Sequence, residues 1–359
     1  MKKNALQKLA IIFVMLVAVN ITYSQMKNIG QFTAGGVDDA NKLVKAYLTP
    51  WANALGTSLS GGWYNTAKVH KLGGFDLTFT MNMAFVPQED KTFDLSKLEL
   101  SAGASYSGNT APTAAGKAKA GPELSYYGIP LYRTPKGTGL GFIPSPMLQA
   151  GIGLVKGTEI DGRYMPGADL GSLGSFGLWG IGLKHDILQW LPLASKLPAL
   201  NVSIQGGYTK LSYRKALSFQ PEDMGVDAGN VQTSSDITFD DQELDLYVKS
   251  FTANLLVSVN LPVISFFGGI GIANTKTDLG MKGYYPVPTV DNHGDLIVTD
   301  ASVGNADPIS LDIKNNNGSP TKPRFNVGLR FKMGPITIHG DYTKANYSNV
   351  TAGLGISFR

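Results

Sequence analysis

Four histidines, His70, His185, His293 and His339, are the only imidazoles in the chain, and only His339 falls on a clear lumen face of the alternating segments. Asp341 stands two residues further on, so in an extended segment both side chains share one face. Such a pair can hold a base for a serine nucleophile, which keeps a lipid hydrolase among the alternatives. A hydrogen-bonded pair lining a polar interior is the plainer reading. No G-x-S-x-G elbow occurs, and a strand-turn-helix elbow would not fit a barrel. The glycine runs Gly137 to Gly141 and Gly268 to Gly271 fall in a loop and a strand, so neither is a phosphate cradle. Acidic residues gather in two stretches, Asp236, Asp240, Asp241, Glu243 and Asp245, then Asp291, Asp295, Asp300, Asp307 and Asp312. Neither stretch has complete calcium-loop spacing, and a solvated surface is the simpler assignment. The sequence contains 0 cysteines, which excludes disulfides, thiolate catalysis and cysteine-bound metal. No residue is assigned as catalytic or as a metal ligand, no cofactor is called for, and the chain reads as a non-enzyme.

What positions these residues is an alternation of period two. Phe75, Leu77, Phe79, Met81, Met83 and Phe85 fall on one face, and Asp76, Thr78, Thr80, Asn82 and Ala84 on the other. Phe325, Val327, Leu329 and Phe331 oppose Asn326, Gly328, Arg330 and Lys332. Ile336, Ile338 and Tyr342 oppose Thr337, His339 and Asp341, and Val350 to Phe358 repeats the pattern. Segments this long, apolar on one side and polar on the other, suit a wall between hydrocarbon and a wet lumen. Strands are expected at 57–67, 74–86, 95–106, 146–155, 157–165, 175–185, 199–212, 246–260, 262–275, 323–333, 335–343 and 347–359. The fold class is therefore all-β, a transmembrane antiparallel β-barrel of about 12 strands (range about 10–14) with a short N-terminal helical plug. Charged residues are only 16% and glycines number 43, a composition that leaves apolar surface for something other than water.

The first residues set the destination. Lys2, Lys3 and Lys8 precede an apolar run from Leu9 to Val19, and Thr22-Tyr23-Ser24 offers small residues for cleavage before Gln25. That is a secretory signal over 1–24. Without those three lysines the formal +4 falls almost to neutrality, so no nucleic-acid partner is expected. Residues 25–56 form the plug or hatch segment and 57–359 the barrel. Within the hatch, Val37, Ala40, Leu43, Val44 and Tyr47 recur at helical spacing, Asp38 and Asp39 occupy the first turn, and Thr49-Pro50 is expected to stop the helix. His185 to Leu191 reads as a helical turn before Pro192, with Trp190 as an interface anchor.

The stretch Tyr47-Leu48-Thr49-Pro50-Trp51-Ala52-Asn53-Ala54-Leu55-Gly56, followed by Gly61-Gly62-Trp63-Tyr64-Asn65, resembles the long-chain fatty-acid transporter superfamily of outer-membrane barrels. Gly157-Thr158-Glu159 and Gly180-Ile181-Gly182-Leu183-Lys184-His185 point to an uncharacterised branch of Gram-negative outer-membrane proteins. The family's hatch asparagine is missing at Thr49-Pro50-Trp51-Ala52. The resemblance implies passive uptake of a hydrophobic small molecule through a plugged barrel in the outer membrane of a Gram-negative bacterium, surrounded by outer-membrane lipid. It also implies a sideways exit at a gap in the strand ladder, sought first near Pro144 and Pro146. Tyr64, Asp76, Asn82, Arg330 and His339 would meet the ligand, and Leu43, Val44 and Tyr47 would gate it. The glycines Gly180, Gly182, Gly269, Gly271, Gly353 and Gly355 thin the lumen wall for a hatch helix or an apolar ligand. The competing reading is a structural or accessory barrel that captures a protein partner with its extracellular loops.

Overall fold

A computed structural model describes residues 30–169, 174–190, 199–314 and 319–358. The expected export signal over 1–24 lies outside the described residues, as do Leu191 and Pro192. Ten antiparallel strands close into a barrel: β1 Phe75–Phe85, β2 Phe142–Gly153, β3 Thr158–Asp169, β4 Ser175–Asp186, β5 Leu200–Leu217, β6 Gln242–Asn260, β7 Ile264–Lys282, β8 Thr321–Met333, β9 Ile336–Lys344 and β10 Ser348–Phe358. Each pairs with its sequence neighbours, and β1 pairs with β10 from Phe75↔Phe358 to Phe85↔Ser348, which closes the cylinder. The segment Ile309–Lys314 extends the β8 lane by pairing with the far end of β7.

The alternation sets the two surfaces. In the half nearer the tight turns the apolar set faces out; Leu77, Ile181, Phe251, Val327, Ile338 and Leu354 are examples. The opposite set, including Thr78, Asn82, Arg163, Lys184, Ser258 and His339, is buried in the lumen. Among the described residues no helix is long and apolar enough to cross a membrane. Tight turns at 154–157, 261–263 and 334–335 lie at one end of the barrel, and the long connections 86–141, 218–241 and 283–320 lie at the other.

Two expected strands are not in the wall, which gives ten strands rather than about twelve. The first, 57–67, begins in helix. The helix α1 spans Val37–Ser60 and runs through Pro50, where a stop was expected. The carbonyl that Pro50 leaves without an amide is that of Ala46, while Thr49 Oγ1 donates to the neighbouring Lys45 carbonyl at 2.6 Å. The reason is burial: from Pro50 to Ser60 every residue is buried, so packing on all sides overrides the local breaker. A helix buried all round loses the one-sided period that marks helices in sequence, and its last turns resemble a strand. The wall therefore starts at Phe75, not at residue 57. The second, 95–106, lies in the long connection after β1. Asp94 caps a short turn at Leu95–Lys97, and Glu99 adopts φ 50°, so extended backbone survives only at Ala104–Tyr106. The helical turn expected over 185–191 is a single turn at Leu188–Trp190, with Trp190 exposed.

Candidate functional site

The N-terminal segment fills the lumen in two parts. Its helix enters from the long-loop end: Asn41 Nδ2 donates to the Pro308 carbonyl at 3.1 Å, Asp39 accepts from the Ser101 backbone at 3.0 Å, and Tyr47 donates to the Lys136 carbonyl at 2.8 Å. Burial, and after it the neighbouring Asp39 carboxylate, raise the Tyr126 hydroxyl above its usual range, so it stays a donor to Asp39. In this half of the barrel the lumen is apolar. Leu43, Val44, Tyr47, Leu55 and Leu59 of α1 pack into one cluster with Ile143 and Met147 of β2, Phe176 and Leu178 of β4, Leu246 and Val248 of β6, and Leu279 and Met281 of β7. The three expected gating residues are thus fully enclosed.

The helix ends halfway down, and its last carbonyls meet wall arginines. Arg163 of β3 donates to the Leu59 carbonyl at 3.1 Å and to the Gly61 carbonyl at 2.7 Å, and Arg324 of β8 donates to the Ser60 carbonyl at 2.9 Å. A helix C-terminus leaves carbonyls without intrahelical partners and carries partial negative charge, so two buried guanidinium groups are suited to receive it. Gly61-Gly62 then turns the chain against β1. Gly62 has φ 69°, and a Cβ on Gly61 would lie 2.5 Å from Asn82 Oδ1, so both positions favour glycine.

Residues 61–74 continue in extended form through the polar half. Trp63 lies beneath the Arg163 guanidinium, 3.6 Å from ring centroid to Cζ, and rests where β4 and β5 have no side chains. Cβ atoms on Gly182 and Gly207 would stand 2.8 Å and 2.5 Å from its ring. These glycines thus make room for the descending segment rather than for the helix. Gly182→Val is expected to unseat Trp63 and redden its fluorescence through water access, whereas an unchanged spectrum would refute the fit. Tyr64 meets Phe267 edge-on at 6.3 Å, and Leu256, apolar between Asn254 and Ser258 on the lumen face of β6, belongs to the same cluster with Trp63. Thr66 and the Ala67 amide bond Ser258, and the Gly73 amide reaches the Gly153 carbonyl at the tight-turn end.

The expected ligand-contacting residues all lie in the lumen, Tyr64 on the descending segment and the rest on the wall, and the chain's own atoms already bond Asp76 and Asn82. Asp76 Oδ2 lies 2.7 Å from His70 Nε2, Asn82 accepts from Thr351 at 2.7 Å, and Arg330 stands across the ladder from His339. His339 and Asp341 do not pair. Asp341 accepts from Asn326 at 2.6 Å, while neither ring nitrogen of His339 has a hydrogen-bond partner among the described residues. The base–carboxylate geometry needed for the hydrolase alternative is not formed. The acidic loop residues act structurally: Asp245 pairs with Arg214 and Lys282, Asp312 with Lys276, and Asp291 accepts the His293 and Asp295 amides.

Sequence reading missed Arg163, Arg324, Glu159, Asp161 and Lys184. Their lumen orientation was readable, since Glu159, Asp161 and Arg163 alternate along one strand and Arg324 shares parity with Arg330. Their partners were not. The wall is also irregular: the β3–β4 register shifts between Met165 and Ala168. The β1–β2 ladder runs the whole length to Phe85↔Phe142, but the β2–β3 ladder stops at Gln149↔Arg163. Pro144 and Pro146 occupy alternate positions on the unpaired stretch of β2, where neither can donate a backbone hydrogen bond.

Over residues 1–358 the chain matches the family described as "Family of unknown function (DUF6588)". No curated protein sequence matches it. Several solved structures show a faint likeness. The attachment invasion locus protein Ail of Yersinia pestis is 10% identical, covering 80% of this chain and 98% of that one, with a TM-score of 0.25. The outer membrane protease OmpT of Escherichia coli is 8% identical, covering 79% and 97%, with a TM-score of 0.31. The toluene transporter TbuX of Ralstonia pickettii is 10% identical, covering 82% and 91%, with a TM-score of 0.22. None of these bears on what this chain does.

Proposed function

The chain belongs to the DUF6588 family of unknown function, and from its geometry we propose that it is an outer-membrane barrel of a Gram-negative bacterium, passively taking up a hydrophobic small molecule. The observation that carries this reading is the place where the β2–β3 ladder stops. That gap adjoins the apolar half of the lumen, beside Ile143, Met147 and Met165, and not the charged half. A hydrophobic compound entering from the long-loop end would displace part of α1, with Leu43, Val44 and Tyr47 as its gate. It would leave sideways into the bilayer without crossing the residues around Tyr64, Asp76, Asn82, Arg330 and His339. The outward apolar set on every strand suits the hydrocarbon layer such an exit requires.

The test uses the absence of native cysteine. Continuing the β2–β3 register past Gln149↔Arg163 brings Met147 opposite Met165, so Met147→Cys with Met165→Cys spans the gap. In proteoliposomes, wild-type protein is expected to speed transfer of the dye 1-N-phenylnaphthylamine into the bilayer. Oxidation of the cysteine pair should abolish that gain and reduction should restore it. Equal transfer in cross-linked and reduced protein would remove the sideways path.

A second reading is favoured by the long connections, which are ordered around a small core of their own, formed by Val226, Phe239, Val298 and Val303. A barrel kept shut while presenting such a surface would serve as a structural or accessory protein binding a partner. Dye transfer no faster than in protein-free liposomes, together with specific capture of a partner by the loops, would select it.

A further inference from the structure

We propose that His70, Asp76, Glu159 and Asp161 bind one divalent cation of the Zn²⁺ type at the tight-turn end of the lumen. These residues come from three places. Asp161 of β3 pairs across the ladder with Gly151 of β2, which pairs with Asp76 of β1. Because Gly151 has no side chain, the two carboxylates approach over it. The point where a Cβ would sit lies 2.7 Å from Asp161 Oδ1 and 3.3 Å from Asp76 Oδ2. Glu159, two residues before Asp161, shares its face. His70 arrives on the descending segment, its backbone amide donating to Glu159 Oε2 at 2.7 Å and its Nε2 lying 2.7 Å from Asp76 Oδ2. One donor atom each from His70, Asp76 and Glu159 lies within 4.8 Å of the other two.

A further observation points to a bound cation. Asp161 is 1% exposed, yet its Oδ2 has no hydrogen-bond partner among the described residues; His70 Nδ1 likewise has none. A buried carboxylate oxygen without a donor is costly unless a cation or a proton compensates it. The neighbouring cations are engaged elsewhere: Lys184 bonds Glu159 Oε1, and Arg163 is turned towards the helix carbonyls. An imidazole nitrogen with carboxylate oxygens is a borderline donor set, suited to four-coordinate Zn²⁺; Ca²⁺ prefers six to eight oxygens. Binding would replace the hydrogen bond between His70 and Asp76 with two bonds to the metal. It would tie the descending segment to two wall strands.

The experiment titrates ZnCl₂ into full-length, detergent-purified protein stripped with chelator, followed by calorimetry, with Co²⁺ absorption as a separate report of imidazole ligation. One saturable site per chain is expected, weakened at least about 10-fold in Asp161→Asn and more in His70→Ala. Folding of each variant is read from its heat-modifiable mobility in gels. Should His70→Ala not fold, Glu159→Gln takes its place, with the same weakening expected. Absence of saturable binding in the wild type would overturn the site, as would unchanged affinity in folded variants; a protonated Asp161 would then be the compensating form.

Discussion

Replacing residues 61–72 with a glycine-serine linker of equal length is expected to turn a barrel closed to small polar solutes into one that conducts them freely. The reason is the division of labour inside the lumen. Trp63, Tyr64 and His70 are at most 6% exposed, and they fill the half whose walls are polar and would otherwise hold water. Deleting residues 30–48 should act differently. It removes the front of the helix from the apolar half but leaves Trp63 over its glycines and His70 against Asp76. Liposome swelling with arabinose-sized sugars separates the two variants: rapid swelling for the linker variant, near-baseline swelling for the deletion. If the deletion alone swelled as fast as the linker variant, the seal would belong to the helix and this assignment would fail.

Arg163→Met should be the most damaging single substitution in the lumen. The side chain donates to the carbonyls of Leu59 and Gly61 and to Gln149 Oε1 at 2.9 Å, while covering the Trp63 ring. Methionine fills much of the same space but donates nothing, leaving three buried acceptors short of a partner. At about 1–3 kcal/mol for each such group, the expected loss is roughly 3–9 kcal/mol. The return of the desolvation cost of the guanidinium lessens it. Arg324→Met, which releases only the Ser60 carbonyl among the helix-end contacts, should cost less. Urea unfolding of refolded protein in lipid, followed by tryptophan emission, measures both. A loss below that of Arg324→Met would mean that the helix end is held by packing alone.

The wall was legible because its signal is local. Each residue from Phe75 to Phe85 declares its face by parity, and the observed strand differs from the expected 74–86 by a single residue at each end. The plug was legible only where it has two unlike sides. Val37 to Tyr47 shows a stripe, but Pro50 to Ser60 touches protein all round and carries no stripe to read. The lumen residues were readable as lumen residues. What each one bonds was not, because the partners lie far apart in sequence: Arg324 meets Ser60, and His70 meets Glu159. Asp76, Arg330 and His339 therefore had the right orientation, while the chemistry around them was supplied by a segment that reads on its own as an ordinary loop.

The pairing of β1 with β10 also constrains the order of assembly. The seam joins Phe75 of the first wall strand to Phe358 of the last, so the cylinder cannot shut until β10 lies beside β1. By then residues 30–74 must already lie inside the curling sheet, since a closed wall would admit them only by threading. Contacts of such long range make closure slow. The charged groups of β3 and β8 would spend that interval waiting for the helix end that neutralises them, and the order of events puts the stopper in place before the last seam is drawn.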